Sequence, residues 1–92
     1  MIGVKEAVSI ALDNLSDFYS TAKDQFKDIL LEEVELSDDK KYWRITIGFT
    51  RPVEAANILD VALRSKSYER DYKTFEIEAD SGTVRSMKIR KV

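Results

Sequence analysis

The sequence predicts an α+β fold: a long N-terminal helix packed on one face of a four-stranded antiparallel sheet, in the order α-β-β-link-β-β. Three observations predict it. Apolar residues recur at helical spacing through the first third of the chain. Two pairs of segments then alternate apolar and polar residues, the signature of half-buried strands. The members of each pair are separated by a short run of turn-forming residues.

The helix is read from Val4 to Leu30. Val4, Val8, Ala11, Leu15, Phe18, Ala22 and Ile29 step by 3, 4 or 7, and Leu12, Tyr19 and Phe26 widen the stripe. Lys5, Glu6, Asp13, Asp17, Lys23, Asp24, Lys27 and Asp28 largely take the opposite side. The pattern fits about 25 residues of helix, or two helices broken near Asn14–Ser16 or Ser20-Thr21. A stripe this wide needs a surface to lie on. It lacks the sustained partner positions of a coiled coil.

From Glu32 to Leu36 the chain alternates, with Val34 and Leu36 on one face and Glu33 and Glu35 on the other. The run Ser37–Lys40 has turn chemistry, because Ser and Asp side chains satisfy backbone groups locally. Lys41 to Phe49 follows as a strand. Its Trp43, Ile45, Ile47 and Phe49 share the core face, and Tyr42, Arg44, Thr46 and Gly48 share the other. Tyr72 to Asp80 repeats the pattern, with Phe75, Ile77 and Ala79 inward and Thr74, Glu76 and Glu78 outward. Gly82 in Asp80-Ser81-Gly82 supplies the positive φ of a hairpin turn. The last strand, Thr83 to Val92, has Val84 out of phase with Met87 and Ile89, which predicts a bulge near Arg85-Ser86.

The link from Arg51 to Arg70 is read as strand end, short helix and return. Pro52 is expected to end the preceding strand and suits the first turn of a helix. Ala55, Ile58, Leu59, Ala62 and Leu63 cluster at helical spacing, opposite Glu54, Asn57, Asp60 and Arg64. Such a segment is too apolar for a solvated loop. Two positions for it stay open: on its own sheet, or against a second copy or another protein.

Composition narrows the chemistry. The 92 residues make one domain's worth of chain. With no Cys there is neither a disulfide nor a thiolate, and with no His there is neither an imidazole base nor a His-dependent triad. No catalytic constellation is present, and the expectation is a non-enzyme without cofactor or metal. Glu32, Glu33, Glu35, Asp38 and Asp39 form an acidic run, but it lacks the spacing of a calcium loop. No phosphate-binding glycine pattern is present either.

A formal charge of −2 argues against nucleic acid as partner. The charge is uneven: residues 1–63 hold 7 basic and 12 acidic side chains, whereas residues 64–92 hold 8 basic and 5 acidic. That split suits charge-complementary association. A basic last strand beside an acidic helix accounts for it equally well. No apolar run of 18 residues occurs, so membrane insertion is not expected. The opening Met1-Ile-Gly-Val-Lys-Glu lacks the layout of a signal peptide.

The outward sheet face gathers Tyr42, Arg44, Thr46, Tyr72, Thr74, Glu76, Lys88 and Arg90. Aromatic and Arg side chains are enriched at binding hot spots, and Thr and Tyr are equally ordinary strand formers. Candidate partner-binding residues are therefore Tyr42, Arg44 and Tyr72 on this face, with Ile58, Leu59 and Leu63 in the link.

Three stretches carry a family resemblance: Glu6–Leu12 on the helix, Tyr42–Gly48 on a strand, and Tyr72–Val84 closing through Asp80-Ser81-Gly82. Together they resemble PepSY-type domains, whose cystatin-like α+β fold lays a helix across an antiparallel sheet. The correspondence spans about 70 residues. The helix is longer than the family's usual one, and the link is an insertion where a short connection is expected. The resemblance transfers no catalytic residue. It implies an extracytoplasmic, regulatory module that binds another protein, proteases among the targets; without it, a cytoplasmic location is the default. The competing expectations are a self-associating structural subunit, joined through the link or an edge strand, and a cystatin-like domain holding a small ligand between helix and sheet.

Overall fold

The computed structural model describes residues 1–18, 27–53 and 67–90. One helix packs against a four-stranded antiparallel open sheet, with the helix first in the chain. The elements are α1 (Val4–Phe18), β1 (Lys27–Leu36), β2 (Tyr42–Val53), β3 (Ser67–Glu78) and β4 (Val84–Ile89). Strand order is β1-β2-β3-β4, so β1 and β4 are the edge strands among the described residues.

The helix lies over the two central strands. Ala7, Ala11 and Leu15, at four-residue steps, are its buried line, with Val8 and Ile10 packed beside them. This line is rotated from the expected stripe, and Val4 and Leu12 stay partly exposed. Two alanines at the contact let the helix backbone approach the sheet closely, while the larger residues wedge in at the sides. Opposite them sit Ile45, Ile47, Phe49, Phe75 and Ile77, all buried as their parity predicts. The start of the chain is fastened too. The Ile2 amide donates to Ala79 O at 2.7 Å, and Trp43 Nε1 donates to Ile2 O at 3.2 Å.

The helix is shorter than its periodicity predicts. Residues 27–30, expected to be helical, belong to β1. Ile29, Leu30 and Leu31 are consecutive, and at 100° per residue three adjacent side chains cannot share a narrow helical stripe. In a bulged strand they are accommodated. Leu31 pairs with Ile47 and Val34 with Ile45, so two residues three apart both face the helix side, with Glu32 as the extra residue between them. The predicted bulge in β4 works the same way: Ile77 pairs with Val84 and Glu76 with Ser86, leaving Arg85 as the extra residue.

Both turns form as their residues dictate. In the first, Ser37 Oγ donates to Asp39 Oδ1 at 2.6 Å and accepts from the Tyr42 amide at 3.0 Å. In the second, Gly82 takes φ 77°. A Cβ at Gly82 would lie 3.1 Å from Ile10 Cδ1, so the helix as well as the turn requires glycine there.

Strands β2 and β3 run further than expected. Pro52 does not end β2; it pairs with Tyr68, and the ladder continues to Val53 opposite Ser67. The Ser37 amide donates to Tyr42 O, so even-numbered residues of β2 point their backbone groups toward β1. Pro52 therefore lacks an N–H on the side facing away from β3, beyond the last described pair of β1 with β2, Lys27 with Thr50. On the helix side this extension becomes charged. Arg51 meets Asp71 and Glu69, the latter at 3.2 Å, where the core face would otherwise continue. The expected link helix, with Ile58, Leu59 and Leu63, lies outside the described residues.

Candidate protein-binding face

The outer face of the sheet, opposite the helix, carries the residues singled out by sequence. Alternation brings Tyr42, Arg44, Thr46, Gly48 and Thr50 of β2 to this face, and the register sets them beside Glu78, Glu76, Thr74, Tyr72 and Arg70 of β3. Tyr42 and Arg44 thus stand together near the turn end. Tyr72 stands beside Gly48, six residues along β2, about 20 Å from Tyr42 at the rise of a strand. The three share a face without forming one cluster.

Each end is organised around arginine. Near the turns, Arg44 Nε lies 3.5 Å and Arg85 Nε 3.8 Å from the two oxygens of Glu76. Arg85 also donates to Tyr42 Oη and holds its guanidinium 4.7 Å from that ring's centre. At the other end, Arg70 reaches Glu32 Oε1 at 2.7 Å and Asp28 O at 2.8 Å, with the Tyr72 ring 5.9 Å away. The Glu32 hydrogen bond is the main reason the Arg70 guanidinium is held above its ordinary pKa. Gly48 makes this pairing possible: a Cβ there would fall 2.8 Å from Glu32 Oε1 and 3.0 Å from Arg70 Nη2. The ion pair crosses β2 over bare backbone.

Between the two ends, Thr46 and Thr74 join hydroxyls at 2.9 Å, and Thr46 is buried. Arg90 from β4 and Glu33 from β1 form an ion pair over this threonine pair, spanning all four strands. Among the described residues no buried side-chain nitrogen or oxygen lacks a partner. The outer face thus carries several cross-strand ion pairs with the Tyr42 and Tyr72 rings set beside their arginines.

The sequence did not point to Arg70, Arg85, Glu32 or Glu33 as members of this face. Two of them, Glu32 and Arg85, are extra residues at β-bulges, and simple alternation misplaces such residues. The out-of-phase pair Val84 and Met87 was the available signal for Arg85.

Two open depressions flank Tyr42. One is lined by Asp38, Asp39, Tyr42, Arg44, Glu76 and Arg85 among others, and the second by Lys41, Tyr42, Glu78 and Asp80. The Asp39 carboxyl is held below its usual range, first by the Ser37 hydroxyl and then by the Lys41 amide. Among the described residues no group of three or more Asp and Glu side chains is placed to hold a metal ion. No helix among them is long and apolar enough to cross a membrane. Comparison with protein-family models, curated proteins and solved structures finds no match to this chain.

Proposed function

We propose that this chain is a non-catalytic protein-binding or regulatory module that presents the outer face of its sheet to another protein. The ion-paired arrangement around Tyr42, Arg44 and Tyr72 carries the reading, because it combines hot-spot residue types with side chains held by their neighbours. Pre-ordered side chains reduce the entropy lost on association. The resemblance to PepSY-type domains supports the same class and suggests restraint of a protease or another enzyme as the use. The link residues Ile58, Leu59 and Leu63 are proposed as a second contact on their apolar spacing alone.

Capture from a lysate of the source organism, with three folded baits, tests this. Wild type should retain a protein that Tyr42→Ala/Arg44→Ala loses, and Leu59→Asp should show whether the link shares the interface. Equal retention by wild type and the Tyr42/Arg44 bait would remove the outer face from the proposal. No retained protein at all would count against the module reading.

A further inference from the structure

We propose that copies of this chain join edge to edge, with the acidic β1 of one copy pairing antiparallel to the basic β4 of the next. This rests on the two edge strands of the described sheet and not on the outer-face reading.

Direction comes first. In the order β1-β2-β3-β4 with every neighbour antiparallel, β1 and β4 run in opposite senses. A copy added at either edge therefore continues one antiparallel sheet. Hydrogen-bonding parity comes next. The Ser37 amide donates to Tyr42 O, so Ser37, Glu35 and Glu33 turn their backbone groups toward β2. Val34 and Leu36 turn theirs outward. The Arg90 amide donates to Tyr72 O, so Arg90 and Lys88 face β3 while Met87 and Ile89 face outward. Outward-turned backbone groups on an edge strand are a ready template for another strand.

One register satisfies every requirement. Setting Val34 opposite Ile89 and Leu36 opposite Met87 joins the outward backbone groups and puts four apolar side chains together on the helix side. Val34 is 36% and Ile89 71% exposed in the single chain. The same register sets Glu35 opposite Lys88 and Glu33 opposite Arg90 on the outer face. A shift of two residues either way keeps only one of these charge pairs. The regular stretches match as well. β1 is straight from Glu33 to Leu36, between its bulge at Glu32 and the turn at Ser37, and β4 is straight from Ser86 to Ile89, after its bulge at Arg85.

Charge selects this pairing over the symmetric ones. Two β1 edges would bring Glu33 and Glu35 against their own kind, and two β4 edges would do the same with Lys88 and Arg90. Like charges directly opposite destabilise a strand pair, whereas opposite charges stabilise it. Arg90 and Glu33 already meet within one copy across the whole sheet. At the joint the same two residue types stand directly opposite, and Glu35–Lys88 is a new pair. The contact is heterologous, so it repeats: each copy keeps one acidic and one basic edge for the next. Strand twist of about 20–25° per strand would turn successive copies into a helical arrangement.

The test is sedimentation of the full chain over a wide concentration range, with circular dichroism to confirm folding. Wild type should rise to at least twice the monomer mass with concentration, and fall back in roughly 0.5 M salt, where exposed charges are screened. Glu35→Lys and Lys88→Glu should each remain monomeric alone and associate when mixed in equal amounts, because mixing restores the wild-type joint at one edge and makes its charge-swapped equivalent at the other. Val34→Pro removes only an outward N–H and should also be monomeric. A wild type that stays monomeric at millimolar concentration overturns the proposal. So does association that neither charge reversal nor Val34→Pro weakens, or a mixture that stays monomeric.

Discussion

Ala11 is the position where the seating of the helix can be tested most directly. It is fully buried between Ala7 and Leu15, in one core cluster with Ile45, Ile47, Phe49, Phe75 and Ile77 of the sheet. Ala11→Leu adds three carbons to a site with no room for them. Overpacking of this kind costs about 1–3 kcal/mol, through off-rotamer side chains and a displaced backbone. Unfolding entropy near 2.1 cal/mol/K per residue gives roughly 0.19 kcal/mol/K for a chain of this length, so the loss in Tm should be about 5–15 °C. Leucine is nearly as good a helix former as alanine, so propensity contributes little to that loss. Ser9→Leu is the control: it enlarges an exposed position of the same helix and should change stability by no more than about 0.5 kcal/mol. Thermal unfolding followed by circular dichroism compares the two. If Ala11→Leu melts within about 2 °C of wild type, the helix is not seated on the sheet at Ala11, and Ala7, Ala11 and Leu15 are not the line that closes the core.

Three further outcomes follow from the same packing. Leu15→Ala and Ile47→Ala each delete a buried aliphatic side chain and should cost about 2–5 kcal/mol in urea unfolding, and unchanged midpoints would place the core elsewhere. Gly82→Ala must adopt φ 77° and approach Ile10, so a loss of about 1–3 kcal/mol is expected, more than for Ser81→Ala, which gives up exposed hydroxyl bonds to Glu78 and Thr83 but strains no backbone. Asp39 has a folded pKa depressed by Ser37 and Lys41, so its carboxylate contributes stability above the unfolded value of about 3.9. That contribution disappears as pH falls through the depressed folded value. Wild type should therefore exceed Asp39→Asn in stability near neutrality and converge with it in acid; a constant difference across pH would show that the carboxylate charge has no part in the turn.

Alternation made most of the sheet legible. The faces of Trp43 to Phe49 and of Phe75 to Ala79 follow from a period of two that burial on one side enforces, and Gly82 and Ser37–Lys40 marked both turns. The bulge at Arg85 could be read because Val84 and Met87 conflict in phase. The equivalent bulge at Glu32 could not be read, since Ile29 also fits the helical period and hid the start of β1. Sequence spacing cannot choose between those periods where a helix ends and a bulged strand begins within a few residues. On the outer face, Tyr42, Arg44 and Tyr72 were placed correctly by parity. Their partners were not, because Arg70–Glu32 and Arg90–Glu33 join residues 38 and 57 positions apart, and only the cross-strand register brings them together.

Pro52 divides β2 into two segments of unequal persistence. From Tyr42 to Thr50 the strand is flanked on both sides and half of it lies under the helix. Beyond Thr50 it pairs, among the described residues, with β3 alone, and Pro52 forecloses a bond from its own nitrogen on the other side. Amide hydrogens of Ile45 and Ile47, which point toward β3 beneath the core, should exchange with solvent only when the whole domain opens. Those of Arg51 and Val53 point the same way in the same strand, yet should exchange through a local parting of two strands. A single continuous ladder thus holds two lifetimes, and the boundary between them is set by where β1 stops.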